Sequence, residues 1–74
     1  MKTIGEYIKE ARESKGYSQN ELARMSRIAR ANIGHWERGE TFPSIINLIP
    51  VADALGITLD ELVGRRQKDD TEVL

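Results

Sequence analysis

The side chains best suited to chemistry in this 74-residue chain lie within one segment, from Ser18 to Glu40. Arg30 can chelate the O6 and N7 atoms of guanine with its guanidinium group, and His35 can hydrogen-bond to another base edge. Gln19 and Arg38 can bind phosphate oxygens, which fixes the register of a protein on a duplex. These residue types favour contact with double-stranded DNA.

Five apolar positions in the same segment predict the elements that hold these side chains. A small residue at Ala23 lets two helix backbones approach closely, so two short helices are expected to cross at a steep angle over a tight turn. The inward positions are Leu22, Ala23, Ile28, Ile33 and Trp36. Residues three and four apart share one side of a helix. The outward side of the second helix therefore carries Arg30, Ala31, Asn32 and His35.

The same residues carry a resemblance to a known family. Gln19, Leu22, Ala23, Ile28, Ile33 and the run Trp36-Glu37-Arg38-Gly39 resemble the helix-turn-helix of the phage Cro and C1 repressor family, also called the XRE family. The similarity extends to Ile4–Lys15, to Pro43-Ser44 and to residues 52–62. It implies an all-α, five-helix, lambda-repressor-like domain over residues 1–64, with helices 2 and 3 forming the helix-turn-helix. Residues 65–74 are expected to form a charged, fraying tail.

The resemblance also implies roles for individual residues. It identifies a sequence-specific regulator of transcription, most simply a repressor, which inserts helix 3 into the major groove as a homodimer on an inverted repeat. The expected base contacts are Arg30, Ala31 and His35. The expected phosphate contacts are Gln19, Asn32, Arg38, Thr41 and Arg24. The expected structural residues are Arg12, Glu37, Trp36, Ala23 and Ile33, with Arg12 pairing with Glu37. The dimer surface is expected near helix 5, among Ile57, Leu59 and Val63, or in the tail.

The net charge of −1 argues against DNA binding until its distribution is considered, because Lys and Arg supply most of the attraction to phosphates. Residues 1–40 carry 8 basic and 6 acidic side chains, whereas residues 41–74 carry 3 and 6. Between Arg24 and Gly39 four arginines stand against the single acid Glu37. A basic edge therefore coincides with the predicted helix-turn-helix. Mixed surface charge that only keeps the domain soluble is the alternative interpretation.

A second function remains open, namely a protein-interaction module of the same fold, such as an antitoxin or accessory regulator with an idle DNA face. The acidic C-terminal third favours it. An enzyme is disfavoured because the chain has no cysteine, one histidine and no Gly-rich phosphate loop. No cofactor is expected, and no metal either, because His35 has no second histidine or cysteine to join it. The lack of cysteines and of long apolar runs predicts a cytoplasmic protein.

Local signals place the helix ends. Capping boxes are predicted where Thr3, Ser18 and Thr58 each precede a glutamate by three residues. Gly16 and Gly39 are expected to end helices 1 and 3. Ala29 offers no side-chain cap for helix 3, a stretch of about Arg30 to Arg38.

Three positions break the expected pattern. Pro50 leaves two possibilities, a helix 4 that begins at Pro50 after a separate turn from Ser44, or one helix kinked at the proline. Arg27 stands where the family usually has glycine, which predicts either a left-handed residue, at a cost of about 1 kcal/mol, or a turn of a different shape. Gly34 lies inside helix 3, where it costs roughly 0.5–1 kcal/mol relative to alanine.

Overall fold

The computed structural model describes residues 2–64, and the expected tail lies outside this range. Within these residues the regular elements are five α-helices: α1 (Ile4–Ser14), α2 (Gln19–Ser26), α3 (Arg30–Glu37), α4 (Ile45–Leu55) and α5 (Leu59–Leu62). Helix α2 packs against α3 and α4, α1 packs against α3 and α5, and α4 packs against α5. The expected five-helix, lambda-repressor-like architecture is confirmed.

The core lies between the helices and consists of side chains from all five. Its buried apolar members are Ile8, Leu22, Ile33, Trp36, Leu48, Val51, Ala52, Leu55 and Leu62. Fully burying one such side chain stabilises the fold by about 1.5–3 kcal/mol relative to leaving it exposed. Ala23 and Ile28, which were expected to face inward, are partly buried against this core.

The three predicted capping boxes are present. In each, the hydroxyl of Thr3, Ser18 or Thr58 accepts a hydrogen bond from the backbone N–H three residues later. The glutamate at that later position accepts a hydrogen bond in return from the capping residue's own N–H. Helix α3 begins after Ala29 without a side-chain cap, as its sequence predicts.

Arg27 ends α2 in the left-handed conformation, which decides between the two possibilities left open at this position. Its φ is 63° and its ψ is 29°, and its N–H donates to the carbonyl of Ala23 at 2.8 Å. A side chain at this position costs about 1 kcal/mol relative to glycine. The turn of the helix-turn-helix is therefore made at a small energetic cost.

Helix α4 runs through Pro50, which decides between the two possibilities left open by the sequence. It begins at Ile45, and the Ser44 hydroxyl accepts from the N–H of Asn47. Pro50 cannot donate to the carbonyl four residues earlier, and a proline inside a helix costs around 3 kcal/mol. The buried residues of this helix lie on both sides of the proline, namely Leu48, Val51, Ala52 and Leu55. Their burial outweighs the cost of the missing bond.

Candidate nucleic-acid interface

Helix α3 is fixed to the domain from its inner side. Ile33 and Trp36 are buried in the core. Gly5 of α1 lies directly against the backbone of α3, where a Cβ atom would overlap the carbonyl oxygen of Trp36. The two helices therefore meet through their main chains, and the orientation of α3 depends on this close approach.

A buried ion pair reinforces the same contact. Arg12 of α1 donates through Nε to Glu37 Oε2 at 2.8 Å and through Nη2 to Glu37 Oε1 at 3.0 Å. Arg12 also donates to the carbonyl of Tyr17 at 2.8 Å. The side chains of Arg12 and Glu37 are 10% and 3% exposed. The hydrogen bonds to Glu37 raise the pKa of Arg12, so its guanidinium group stays charged. Such a bidentate geometry stabilises a buried pair, whereas losing one partner strands a charge.

This ion pair connects to the outer side of α3 through Gln19. Gln19 Nε2 donates to Glu37 Oε1 at 2.9 Å, so its amide oxygen faces the other way. That oxygen accepts from Arg30 Nη1 at 3.2 Å. The chain of hydrogen bonds from Arg12 through Glu37 and Gln19 to Arg30 holds the first residue of α3 relative to α1. Gln19 Nε2 carries a second N–H, and this donor, together with the N–H groups of the first turn of α2, can still reach a phosphate.

The predicted contact residues occupy the outer surface of α3 and its neighbours. Among the expected base contacts, Arg30 and Ala31 are exposed and His35 is half-exposed. Asn32, Arg38, Thr41 and Arg24, the expected phosphate contacts apart from Gln19, are exposed as well. The structure thus brings Arg30, Gln19, His35 and Arg38 into two hydrogen-bonded groups, one at each end of α3.

The second group contains a residue that sequence reasoning missed. Glu40 Oε1 lies 2.6 Å from His35 Nδ1, and Glu40 accepts from Arg38 Nε at 2.9 Å. The hydrogen bonds from Arg38 and His35 lower the pKa of Glu40 to about 2. Because an ionised carboxylate only accepts, Nδ1 of His35 carries the proton and Nε2 is the nitrogen left to meet a ligand. Glu40 therefore pairs with two of the side chains that are expected to contact DNA, those of His35 and Arg38.

The charge that this surface presents to solvent is nonetheless positive. All four arginines between Arg24 and Gly39 are exposed, while Glu37, the acid among them, is buried against Arg12. Glu40 offsets one of these charges. The net positive charge sits on the helix-turn-helix, as an electrostatic footprint for phosphates requires.

Gly34 lies in α3 beside the ends of flexible side chains. A Cβ atom there would meet only side-chain tips, Arg38 Nη1 at 3.1 Å and Gln19 Oε1 at 3.7 Å. Glycine at this position leaves room between the two hydrogen-bonded groups of the surface.

The residues that were expected to form a dimer surface are not the apolar residues that the structure exposes. Ile57, Leu59 and Val63 are partly buried against the core. The large apolar residues that reach solvent include Phe42, Ile45, Ile46 and Ile49, at the start of α4. Apolar residues in this stretch occur at both buried and exposed positions, so the sequence gave no sign of which side of the helix would be exposed.

Membrane-spanning helices and clustered metal ligands are both absent from residues 2–64. No helix there has the length and apolar content required to cross a membrane. No cluster of three or more His, Cys, Asp or Glu side chains suited to a metal ion occurs in that range either.

The fold and this surface together define a helix-turn-helix domain. The chain matches the family model described as Helix-turn-helix over residues 8–62. It belongs to that family, of Cro/C1 or XRE type.

Individual relatives agree with this assignment. The HTH-type transcriptional regulator SinR of Bacillus licheniformis is 39% identical over 70 residues, which cover 93% of this chain and 61% of SinR. The crystal structure of the P22 c2 repressor in complex with a synthetic operator has a TM-score of 0.80 and 30% identity, covering 89% of this chain and 100% of that one. The restriction-modification controller protein C.AhdI of Aeromonas hydrophila has a TM-score of 0.77 and 39% identity, covering 80% of this chain and 89% of its own. The chain spans 56% to 63% of the length of curated relatives such as SinR.

Proposed function

We propose that this chain is a sequence-specific, double-stranded-DNA-binding regulator of transcription that inserts α3 into a major groove. The main support for the proposal is that the two sides of α3 have different environments, one packed and one exposed. Ile33, Trp36 and Glu37 fix its inner side to the core, while the outer side presents Arg30, Ala31 and His35 to solvent. A helix held in this way can enter a groove without losing packing.

Arg30 is the central base-contacting residue of this proposal. It stands at the first position of α3, and its guanidinium group is already oriented by Gln19. A bidentate contact to guanine is worth about 1–3 kcal/mol of discrimination between bases. Ala31 can contact a thymine methyl group, and His35 reaches a base one turn further along the groove. Arg38, Thr41, Asn32, Arg24 and the first turn of α2 are assigned to the phosphates.

The proposal includes a homodimer on an inverted repeat and repression as the outcome. One such domain reads only a few base pairs, and two domains related by a two-fold axis read half-sites about one helical turn apart. The relatives include proteins named as phage repressors, such as the immunity repressor of Bacillus phage phi105, which supports repression. These relatives are named as regulators or repressors, so the proposal includes no catalytic role.

A protein-interaction module with an idle DNA face is the second candidate function. The contacts of Glu40 with His35 and Arg38 favour it, because they neutralise part of the surface that would face phosphates. The two candidates differ in salt dependence. Phosphate contacts make DNA affinity fall steeply with salt, whereas an idle face binds no DNA at any salt concentration.

Selection of bound sequences from random duplexes, followed by Arg30→Ala, tests the DNA-binding proposal. Arg30→Ala is expected to weaken binding to the selected site by about 1–3 kcal/mol with little change in thermal stability, because Arg30 is exposed. Lys9→Ala, which removes an exposed cation from α1, is the matched control and should leave specificity unchanged. A wild-type chain that enriches no sequence at 50 mM salt refutes the proposal, as does equal loss in both variants.

A further inference from the structure

An apolar surface at the start of α4 is left without a partner inside the domain. It consists of Phe42, Ile45, Ile46 and Ile49, which are 69%, 57%, 74% and 47% exposed. Positions 45 and 49 are one turn apart on the same side of α4, and Ile46 adjoins them. Phe42 precedes them in the loop that leads into the helix. We call these four residues the α4 surface.

The exposure of these residues is concentrated rather than scattered. Elsewhere in residues 2–64 the one large apolar residue with comparable exposure is Met25, at 40%. Single exposed apolar residues are ordinary, but several within eight residues mark a binding surface. From their exposed fractions, these side chains present on the order of 500 Å² of apolar area.

We infer that the α4 surface is the interface through which two copies of this chain associate about a two-fold axis. An interface of this symmetry brings a surface against itself, so charges on it would repel their own copies. No residue from Thr41 to Ala52 is charged. Two copies would bury on the order of 1,000 Å² of apolar area, about the minimum for a specific interface.

The position of the α4 surface fits the homodimer of the proposed function, on which this inference rests. Phe42 comes only five residues after the end of α3 at Glu37. A two-fold contact at that point holds both α3 helices near the axis and at a fixed separation. The interface at Ile57, Leu59 and Val63 that the sequence suggested would instead need residues already packed against the core.

Ile46→Glu tests the interface, with Met25→Glu as the matched control. Both replace an exposed apolar side chain with a carboxylate, but Met25 lies on α2, outside the α4 surface. Sedimentation equilibrium of the full chain from 1 µM to 1 mM is expected to give a monomer–dimer equilibrium. Ile46→Glu should weaken dimerisation by about 100-fold or more, because each interface would bury two unpaired charges. Met25→Glu should not change it. Circular dichroism of both variants should match the wild type.

Cysteine cross-linking locates the contact directly, because the chain has no cysteine of its own. Ile46→Cys should form a covalent dimer with a short bis-maleimide, and Met25→Cys should give at least tenfold less. A wild-type chain that remains monomeric to 1 mM when free, and also when bound to an inverted repeat, overturns the inference. Equal dimerisation of Ile46→Glu and wild type overturns it as well.

DNA-binding measurements distinguish a failure of this inference from a failure of the proposed function. With duplexes selected by the wild type, Ile46→Glu should keep its affinity for a single half-site but lose at least tenfold on an inverted repeat. A wild type that dimerises through the α4 surface but enriches no DNA sequence would refute the proposed function and leave the interface standing. A wild type that binds half-sites but never dimerises, free or on DNA, would refute the interface alone.

Discussion

Glu40→Gln is expected to strengthen the binding of this chain to DNA. The carboxylate of Glu40 accepts hydrogen bonds from Arg38 and contacts His35 Nδ1, so it pairs with a cation that the proposed function assigns to a phosphate. Glutamine keeps the size and can still accept the proton of Nδ1, but it carries no charge. The substitution therefore releases Arg38 while leaving His35 with a partner.

The size of the effect depends on how many phosphates the released arginine can neutralise. Each phosphate neutralised on double-stranded DNA makes the slope of log K against log salt steeper by about 0.9. One released arginine therefore increases affinity by roughly five- to tenfold at 0.1 M salt, and the increase disappears toward 1 M. The pKa of Glu40 is lowered to about 2, so its carboxylate is charged at any higher pH.

Fluorescence anisotropy with a random-sequence duplex, measured between 50 and 400 mM salt, provides the assay. Glu10→Gln is the matched control, because Glu10 has the same 51% side-chain exposure and also pairs with a cation, Lys2, but lies on α1. If both variants change the slope equally, overall charge explains the effect and Glu40 has no special position. If Glu40→Gln leaves the slope unchanged, Arg38 does not contact phosphate and the reasoning is refuted.

Four further substitutions concern stability. Trp36→Ala should cost about 3–5 kcal/mol and unfold so small a domain, because it empties a buried aromatic site; its circular dichroism would then lose helical signal. Arg27→Gly should be neutral or stabilising by up to about 1 kcal/mol in urea denaturation, because φ is 63°. Gly5→Ala should cost about 3 kcal/mol or more, because its Cβ would overlap the Trp36 carbonyl, whereas Gly34→Ala should be neutral or stabilising by up to about 1 kcal/mol.

Each of these stability predictions can fail in a distinct way. A Trp36→Ala variant with native circular dichroism and an unchanged midpoint would show that this side chain does not support the core. Destabilisation of Arg27→Gly by more than about 1 kcal/mol would mean that the arginine side chain makes a contact worth more than its backbone strain. Equal midpoints for Gly5→Ala and Gly34→Ala would contradict the backbone contact between α1 and α3.

The sequence predicted the features that depend on neighbouring residues. The capping boxes at Thr3, Ser18 and Thr58 each join positions three apart, so residue types and spacing suffice to find them. The possibility of a left-handed residue at Arg27 followed from the resemblance to a family that usually has glycine at this position. In both cases the physical cause lies within one turn of the chain.

Features that depend on distant contacts were not predictable in the same way. Whether α4 could contain Pro50 depended on burial of Leu48 and Val51 against other helices, which no local rule supplies. Gly5 gave no signal, because its role is to meet a backbone carbonyl on another helix, that of Trp36. Glu40 was overlooked because its partners depend on how the chain turns after Gly39, and that turn sets the charge of the candidate site.

The contact between Gly5 and the Trp36 carbonyl also bears on how such a domain can change its target. A main-chain oxygen is present whatever side chains α3 carries, so the angle between α1 and α3 does not depend on the outward residues. Ala31, Asn32 and His35 can therefore be replaced without moving the helix that carries them. Under the proposed function, changes at the base-contacting positions Ala31 and His35 alter the DNA sequence that is read, while the contact between Gly5 and the Trp36 carbonyl is kept.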